Sequence, residues 1–293
     1  MTIMTEKGNP LTQNIDLMNG YEIAKAINNE DKKVAFAVEK ELKAIGKAIE
    51  TIAEAFFNSG RVAYFGAGTS GRIGVLDASE CVPTFGVDEN MVQGFIAGGD
   101  KALRYSIENA EDDEELALKD LAAFKPQKND VVVAISASGN PKYVTAVLEK
   151  ARALGVKTIG ITSNREAKLN ALSDILICVV VGQEAITGSS RMKSGTAQKM
   201  VLNMLSTGAM IRIGKVYQNY MIDVQLSNEK LIKRGRRFVR EICGIDEIEA
   251  AKWLEKSGGS VKTACVMKLK NCSKDEAEKL LSDAGGFLRK VIG

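Results

Sequence analysis

The chain has 293 residues, 40 basic and 37 acidic, giving a formal net charge of +3. A charge so balanced casts no broad field for nucleic acid or an anionic membrane, and the length suits one large α/β domain with an appendage or two modest domains. Histidine is absent, which excludes Ser-His-Asp triads, Cys-His dyads and His-ligated metals, and leaves proton transfer near neutral pH to carboxylate, lysine, cysteine or tyrosine.

Residues 1–20 are polar and predict irregular structure. From Glu30 to Phe57 the apolar positions Val34, Val38, Leu42, Ile45, Ile49, Ile52 and Phe56 recur at spacings of three and four. That is one face of a single long helix, stopped by Asn58-Ser59-Gly60. Its stripe must be buried on the domain's own core or on a partner subunit. The period then changes. Arg61–Phe65 predicts a buried strand ending at glycine, and Thr69 or Ser70 can cap the helix after it. Met91–Ala97 predicts a second strand, and Leu103–Leu121 a helix carrying the acidic run from Glu111 to Glu115. Asp130–Ser136 predicts a third strand, followed by a helix from Pro141 to Leu154. Lys157–Ile161 and Ile175–Val181 predict two more strands, and Ser194–Lys215 another long helix. This alternation predicts an α/β fold: a doubly wound parallel sheet covered by helices on both faces, an α-β-α sandwich.

After Ile242 the strand signal stops. Glu249-Ala250, Leu254 and Gly258-Gly259 recur in phase as Glu276-Ala277, Leu281 and Gly285-Gly286. The repeat predicts a small helical domain over 241–293, following a main domain over 1–240. The arginines of 234–240 predict a solvated helix face. Five scattered cysteines without a CxxC pair predict reduced thiols in a cytoplasmic protein. The first ten residues lack the apolar core of a secretory signal, and no apolar run approaches the ~20 residues of a membrane span.

In an open parallel sheet, ligands bind beyond the carboxyl ends of the strands. Three predicted loops there are rich in glycine and hydroxyls: 68–71 (Gly-Thr-Ser-Gly), 136–140 (Ser-Ala-Ser-Gly-Asn) and 187–191 (Thr-Gly-Ser-Ser-Arg). Glycine lets backbone amides approach a phosphate, helix N-termini offer unpaired N–H groups, and hydroxyls add donors. Each loop is also readable as a simple helix cap and turn. The Gly66-x-Gly68-x-x-Gly71 pattern lacks the acidic residue that a dinucleotide site needs at the end of the next strand, and no Walker lysine follows it. A sugar phosphate fits better. Glu80 follows near a helix end, where a single carboxylate is usually solvated surface, but in an apolar stretch from Leu76 to Phe85, where burial would raise its pKa toward that of a general acid. Glu111, by composition alone, belongs to a solvated face.

Residues 66–72 (GAGTSGR), 76–81 (LDASEC), 83–86 (PTFG), 110–112 (AED), 186–199 (ITGSSRMKSGTAQK) and 203–207 (NMLST) resemble those of the N-acetylmuramic acid 6-phosphate etherases. The resemblance runs from Asn9-Pro10 to the double-glycine tail. It implies a sugar isomerase (SIS) fold with a ubiquitin-associated-like helical tail. It also implies a cytoplasmic homodimer with the site near the subunit interface, acting as a lyase in cell-wall amino-sugar recycling without metal or organic cofactor. The implied reaction releases D-lactate and leaves N-acetylglucosamine 6-phosphate. The family's catalytic glutamates fall on Glu80, as proton donor to the leaving lactate, and on Glu111, as partner base. Thr69, Ser70, Ser136, Ser138, Gly139, Asn140, Ser189 and Ser190 fall in its sugar-phosphate loops. Lys193 or Arg191 is placed to neutralise phosphate or the lactyl carboxylate, or else to make an ion pair. The family usually reads Ser-Gly-Arg-Thr-Pro-Tyr where this chain has Ser138-Gly139-Asn140-Pro141-Lys142-Tyr143, so one hydroxyl is missing. Two other readings stay open: a noncatalytic sugar-phosphate regulator, similar to the glucokinase regulatory protein, and an aldose–ketose phosphate isomerase.

Overall fold

The computed structural model describes residues 6–293, so the expectation for residues 1–5 lies outside the described residues. Two single 3-10 turns, Pro10–Thr12 and Ile15–Leu17, lead into helix α1, Gly20–Glu39. Asn19 and Glu22 close a capping box at its start, satisfying two amides reciprocally. Helix α2 follows at Leu42–Phe57. The single helix expected over 30–57 is thus two. The chain tightens at Lys40–Glu41, where the Glu41 amide donates to the Val38 carbonyl at 2.9 Å. Val34 and Val38 on one side of the break, and Ile45 and Ile52 on the other, are all buried.

Five strands, β1 Val62–Gly66, β2 Val92–Ile96, β3 Val131–Ile135, β4 Lys157–Thr162 and β5 Ile175–Cys178, form one sheet in the order β2-β1-β3-β4-β5. All its pairings are parallel. β1 and β3 are wholly buried, as near-continuous apolar runs covered on both faces must be. The strand order reverses between β1 and β3, where Gly66 lies beside Ile135. The first and second hydroxyl loops therefore leave neighbouring strand ends at the topological switch point.

The helices between the strands are α3 Gly68–Phe85, α4 Lys101–Arg104, α5 Glu114–Phe124, α6 Lys142–Ala153 and α7 Leu169–Leu172, with α8 Lys193–Arg212 after β5. The helix expected over 103–121 is interrupted. α4 ends at Arg104, and Asn109 takes a left-handed φ of 61° before a 3-10 turn at Ala110–Asp112. Asp113 then caps α5 through the Leu116 amide. β5 also ends before the expected Val181.

The chain divides into two compact units. One comprises the chain up to Ser79 with Asn90–Ser206; the other is Glu80–Glu89 with Thr207–Gly293. This division falls at Ser206, ahead of the 240/241 boundary read from the sequence. The second unit holds a two-residue-strand hairpin, β6 Val216–Tyr217 with β7 Tyr220–Met221, which the sequence did not signal. Helices α9 Glu229–Cys243, α10 Glu247–Lys256, α11 Val261–Lys270, α12 Lys274–Asp283 and α13 Leu288–Ile292 complete it. The repeat has a structural counterpart. Ala250, Leu254, Ala277 and Leu281 are all buried in one core, and each double glycine has positive φ, the conformation that ends a helix without a Cβ penalty.

Candidate active site

The first loop is built around backbone contact. A Cβ on Gly66 would stand 2.7 Å from the Gly71 amide nitrogen, and one on Gly71 would stand 2.6 Å from Ile96 Cγ1. These glycines let α3 start hard against β1 and β2. Its first-turn amides then lie at the sheet's carboxyl edge, with the positive end of the helix dipole. Thr69 is half-buried, and Ser70 is buried with its hydroxyl donating to Gln198 Oε1 at 2.9 Å.

The second loop is a closed turn. Ser136 Oγ accepts from the Gly139 amide at 3.0 Å, and Gly139 adopts φ 67°. A Cβ at Gly139 would press on Ala167, so the glycine is required twice over. Ser138 and Asn140 are part-exposed. Asn140 Oδ1 accepts from the Lys168 amide at 3.0 Å, so half of its side-chain amide is committed to holding the loop.

The third loop is clasped at its base. Glu184, fully buried, accepts from the Lys193 and Ser194 amides and the Ser194 hydroxyl, each at 2.9 Å. Ser189 and Ser190 are half-buried between these ties, and Arg191 is exposed. Lys193 corrects the expectation. Its ammonium is 2.6 Å from Glu30 on α1, both side chains are 2 % exposed, and the pair is internal to the fold. Of the two cations expected for a substrate anion, Arg191 alone stands open.

The loops meet. α8 brings Gly195 so close that a Cβ there would be 3.4 Å from Thr69 Cγ2. Beside the first loop lies a cavity of about 280 Å³, lined by Gly68, Arg72, Ala97, Glu108 and Glu111 among others. Glu111 therefore shares a hollow with the helix start that offers amides. The left-handed turn at Asn109 aims this segment, which helical periodicity had concealed. Arg72 holds the opposite wall, donating from Nε to Leu103 O and from Nη2 to Tyr105 O, both at 3.2 Å. Sequence reasoning missed Arg72 and Gln198, although both lie inside the quoted motifs. Two larger hollows, about 860 and 770 Å³, lie on the C-terminal unit and beside the N-terminal turns. Neither contains an expected glutamate.

Glu80 is exposed, as a carboxylate near a helix end usually is, and the alternative of burial in the apolar stretch does not hold. Ala78 and Cys81 take the buried side of α3, and Ser79 and Glu80 take the open side.

The parallel sheet with hydroxyl loops at its switch point agrees with the class that two family models assign, the SIS-domain proteins. Residues 44–152 match the glucokinase regulatory protein N-terminal SIS domain, and residues 103–208 the SIS domain. A phosphoheptose isomerase from Francisella tularensis superposes with a TM-score of 0.52 at 18% identity, covering 66% of this chain and 100% of that one. That likeness shows the shared fold. Full-length relatives narrow the class. An N-acetylmuramic acid 6-phosphate etherase from Bacillus cytotoxicus is 48% identical over 99% of both chains. One from Glaesserella parasuis is 51% identical over 98% of this chain and 95% of its own. The chain belongs to the N-acetylmuramic acid 6-phosphate etherase family.

Proposed function

We propose that this protein cleaves the D-lactyl ether of N-acetylmuramic acid 6-phosphate, giving N-acetylglucosamine 6-phosphate and D-lactate. Full-length identity to the etherases supports the reaction class. The observation that carries the site is Glu111 lining one cavity with the amide-bearing start of α3.

In the open-chain sugar the C1 aldehyde acidifies the C2 proton. Glu111, as base, removes that proton, and the C2–C3 double bond forms as the C3–oxygen bond breaks. Glu80, as acid, gives its proton to the departing lactate oxygen. Water then adds at C3 and a proton returns to C2, so the overall change is hydrolytic although the bond breaks by elimination, as in a lyase. Positioned carboxylates supply transfers of this kind. Thr69, Ser70, Ser136, Ser138, Gly139, Asn140, Ser189 and Ser190 hold the phosphate end through hydroxyls and loop amides. Arg191 supplies the cation that Lys193 does not. The protein acts as a cytoplasmic homodimer in amino-sugar recycling. Support for a partner comes from the large apolar side chains left open near the start of the chain: Leu17, Tyr21 and Phe36 are 80%, 76% and 66% exposed.

The test is D-lactate release from the phosphorylated and unphosphorylated sugar by wild type, Glu80→Gln and Glu111→Gln. Phosphate-dependent release, lowered at least ~100-fold in each variant, with sugar-phosphate binding kept within a few fold, is the expected result. Full activity in either variant removes that glutamate from the mechanism. Absence of release with tight binding makes the protein a sugar-phosphate regulator.

A further inference from the structure

Gln198 is 2% exposed, and its Nε2 is buried with no hydrogen-bond partner among the described residues. A buried amide donor left unpaired carries its full desolvation cost, so its presence calls for an explanation. Its Oε1 is occupied, accepting from the Ser70 hydroxyl at 2.9 Å across 128 residues of chain. Gln198 lies one turn along α8 from Gly195, the residue pressed against Thr69. The amide therefore sits directly behind the first phosphate loop.

We propose that Gln198 is a positioning residue that sets the direction of the Ser70 hydroxyl. A serine hydroxyl has one proton and two acceptor lone pairs. As found, that proton points back at Gln198, and the Ser70 hydroxyl has none to offer an anion. Turning the Gln198 amide by half a turn brings Nε2 onto Ser70 Oγ as a donor. The hydroxyl proton is then released to point outward at a phosphate oxygen. The turn also pairs the buried N–H and leaves instead a carbonyl oxygen, the group that proteins more readily leave underused. Gln198 thus acts through Ser70 and touches no reacting atom. The inference rests on the reading of Ser70 as a phosphate contact and names the residue that makes it a donor.

The experiment is a double-mutant cycle with Ser70→Ala and Gln198→Met, titrated with N-acetylglucosamine 6-phosphate, alongside lactate-release kinetics. Gln198→Met alone is expected to weaken binding severalfold, because the Ser70 hydroxyl keeps its proton but loses the donor that holds that proton outward, and to raise KM with much less change in kcat. In the Ser70→Ala background it is expected to add nothing. Gln198→Glu gives a second cycle should the methionine variant fold poorly. Its carboxylate only accepts, so it locks the Ser70 proton inward and weakens binding further. Equal losses with and without Ser70, or no loss at all, would overturn the proposal. Product binding is read without turnover, so failure here is distinct from failure of the etherase reading, which would show as a wild type that binds the product and releases no lactate.

Discussion

At the scale of single residues, the first loop depends on atoms that are missing. A Cβ at Gly71 would stand 2.5 Å from the Gly66 carbonyl oxygen and 2.6 Å from Ile96 Cγ1. The carbonyl belongs to β1 and cannot yield unless the strand moves. Gly71→Ala is therefore expected to cost about 1–3 kcal/mol through overpacking. Thermal unfolding should show it as a Tm lowered by several degrees, with lactate release lowered in the same variant because α3 can no longer start where it does. Gly68 supplies the contrast. Nothing stands within 4 Å of a Cβ there, but φ is +53°. Gly68→Ala should cost about 1 kcal/mol through backbone strain alone. A Gly71→Ala variant as stable as wild type would show that the close approach of α3 to β1 is not what fixes this loop.

Elements are held by charges as well as by apolar faces. α1 and α8 meet through Glu30 and Lys193, 2.6 Å apart, with Lys33 adding a second contact to the same carboxylate. Burial alone would raise the Glu30 pKa, but hydrogen bonds from Lys193 and Lys33 outweigh it and hold the group below its ordinary value of 4.5. A depressed folded-state pKa means stability that is present above the unfolded value and is lost as pH falls through the folded one. Chemical denaturation should thus show this contribution declining on acidification below pH 4.5. Lys193→Met leaves Lys33 as the remaining partner, so it is expected to cost less than the ~3–5 kcal/mol of a buried charge left wholly unpaired, but still to lower stability measurably at neutral pH. Unchanged stability in that variant would refute the clasp. This pair marks where sequence reading stops. Runs such as Val131–Ile135 announce a buried strand because both faces are covered, and the strand alternation was legible for the same reason. The loops were legible because glycine and hydroxyls cluster at strand ends. Lys193 stands in the same motif as Ser189 and Ser190, and nothing local distinguishes a cation facing substrate from one facing Glu30, 163 residues away. Glu111 is as exposed as its acidic run announced; what local composition did not announce is that, after the left-handed turn at Asn109, it also lines the cavity.

At the scale of the whole molecule, two features escape a linear reading. The second compact unit recruits Glu80–Glu89 from the middle of the chain, and no change of composition could mark a segment that joins its unit through space. The other feature is the apolar surface of the N-terminal segments. Leu17 closes a 3-10 turn at 80% exposure, and Tyr21 and Phe36 project from α1 at 76% and 66%. Isolated exposed apolar side chains are ordinary, and on the proposed reading these belong to the surface that a second copy covers. In a homodimer with two-fold symmetry the same patch is used on both chains, so one substitution damages the interface twice. Leu17→Glu and Phe36→Glu together are therefore expected to convert a particle of twice the 31.6 kDa chain mass into single chains, read by sedimentation or light scattering. On the proposed homodimer reading, with its site near the subunit interface, lactate release should fall with dissociation and recover as protein concentration is raised, whereas a folding defect would not recover. A variant that remains dimeric and active would place the interface on another face of the chain, and a wild type that sediments as a single chain would remove the partner from the mechanism.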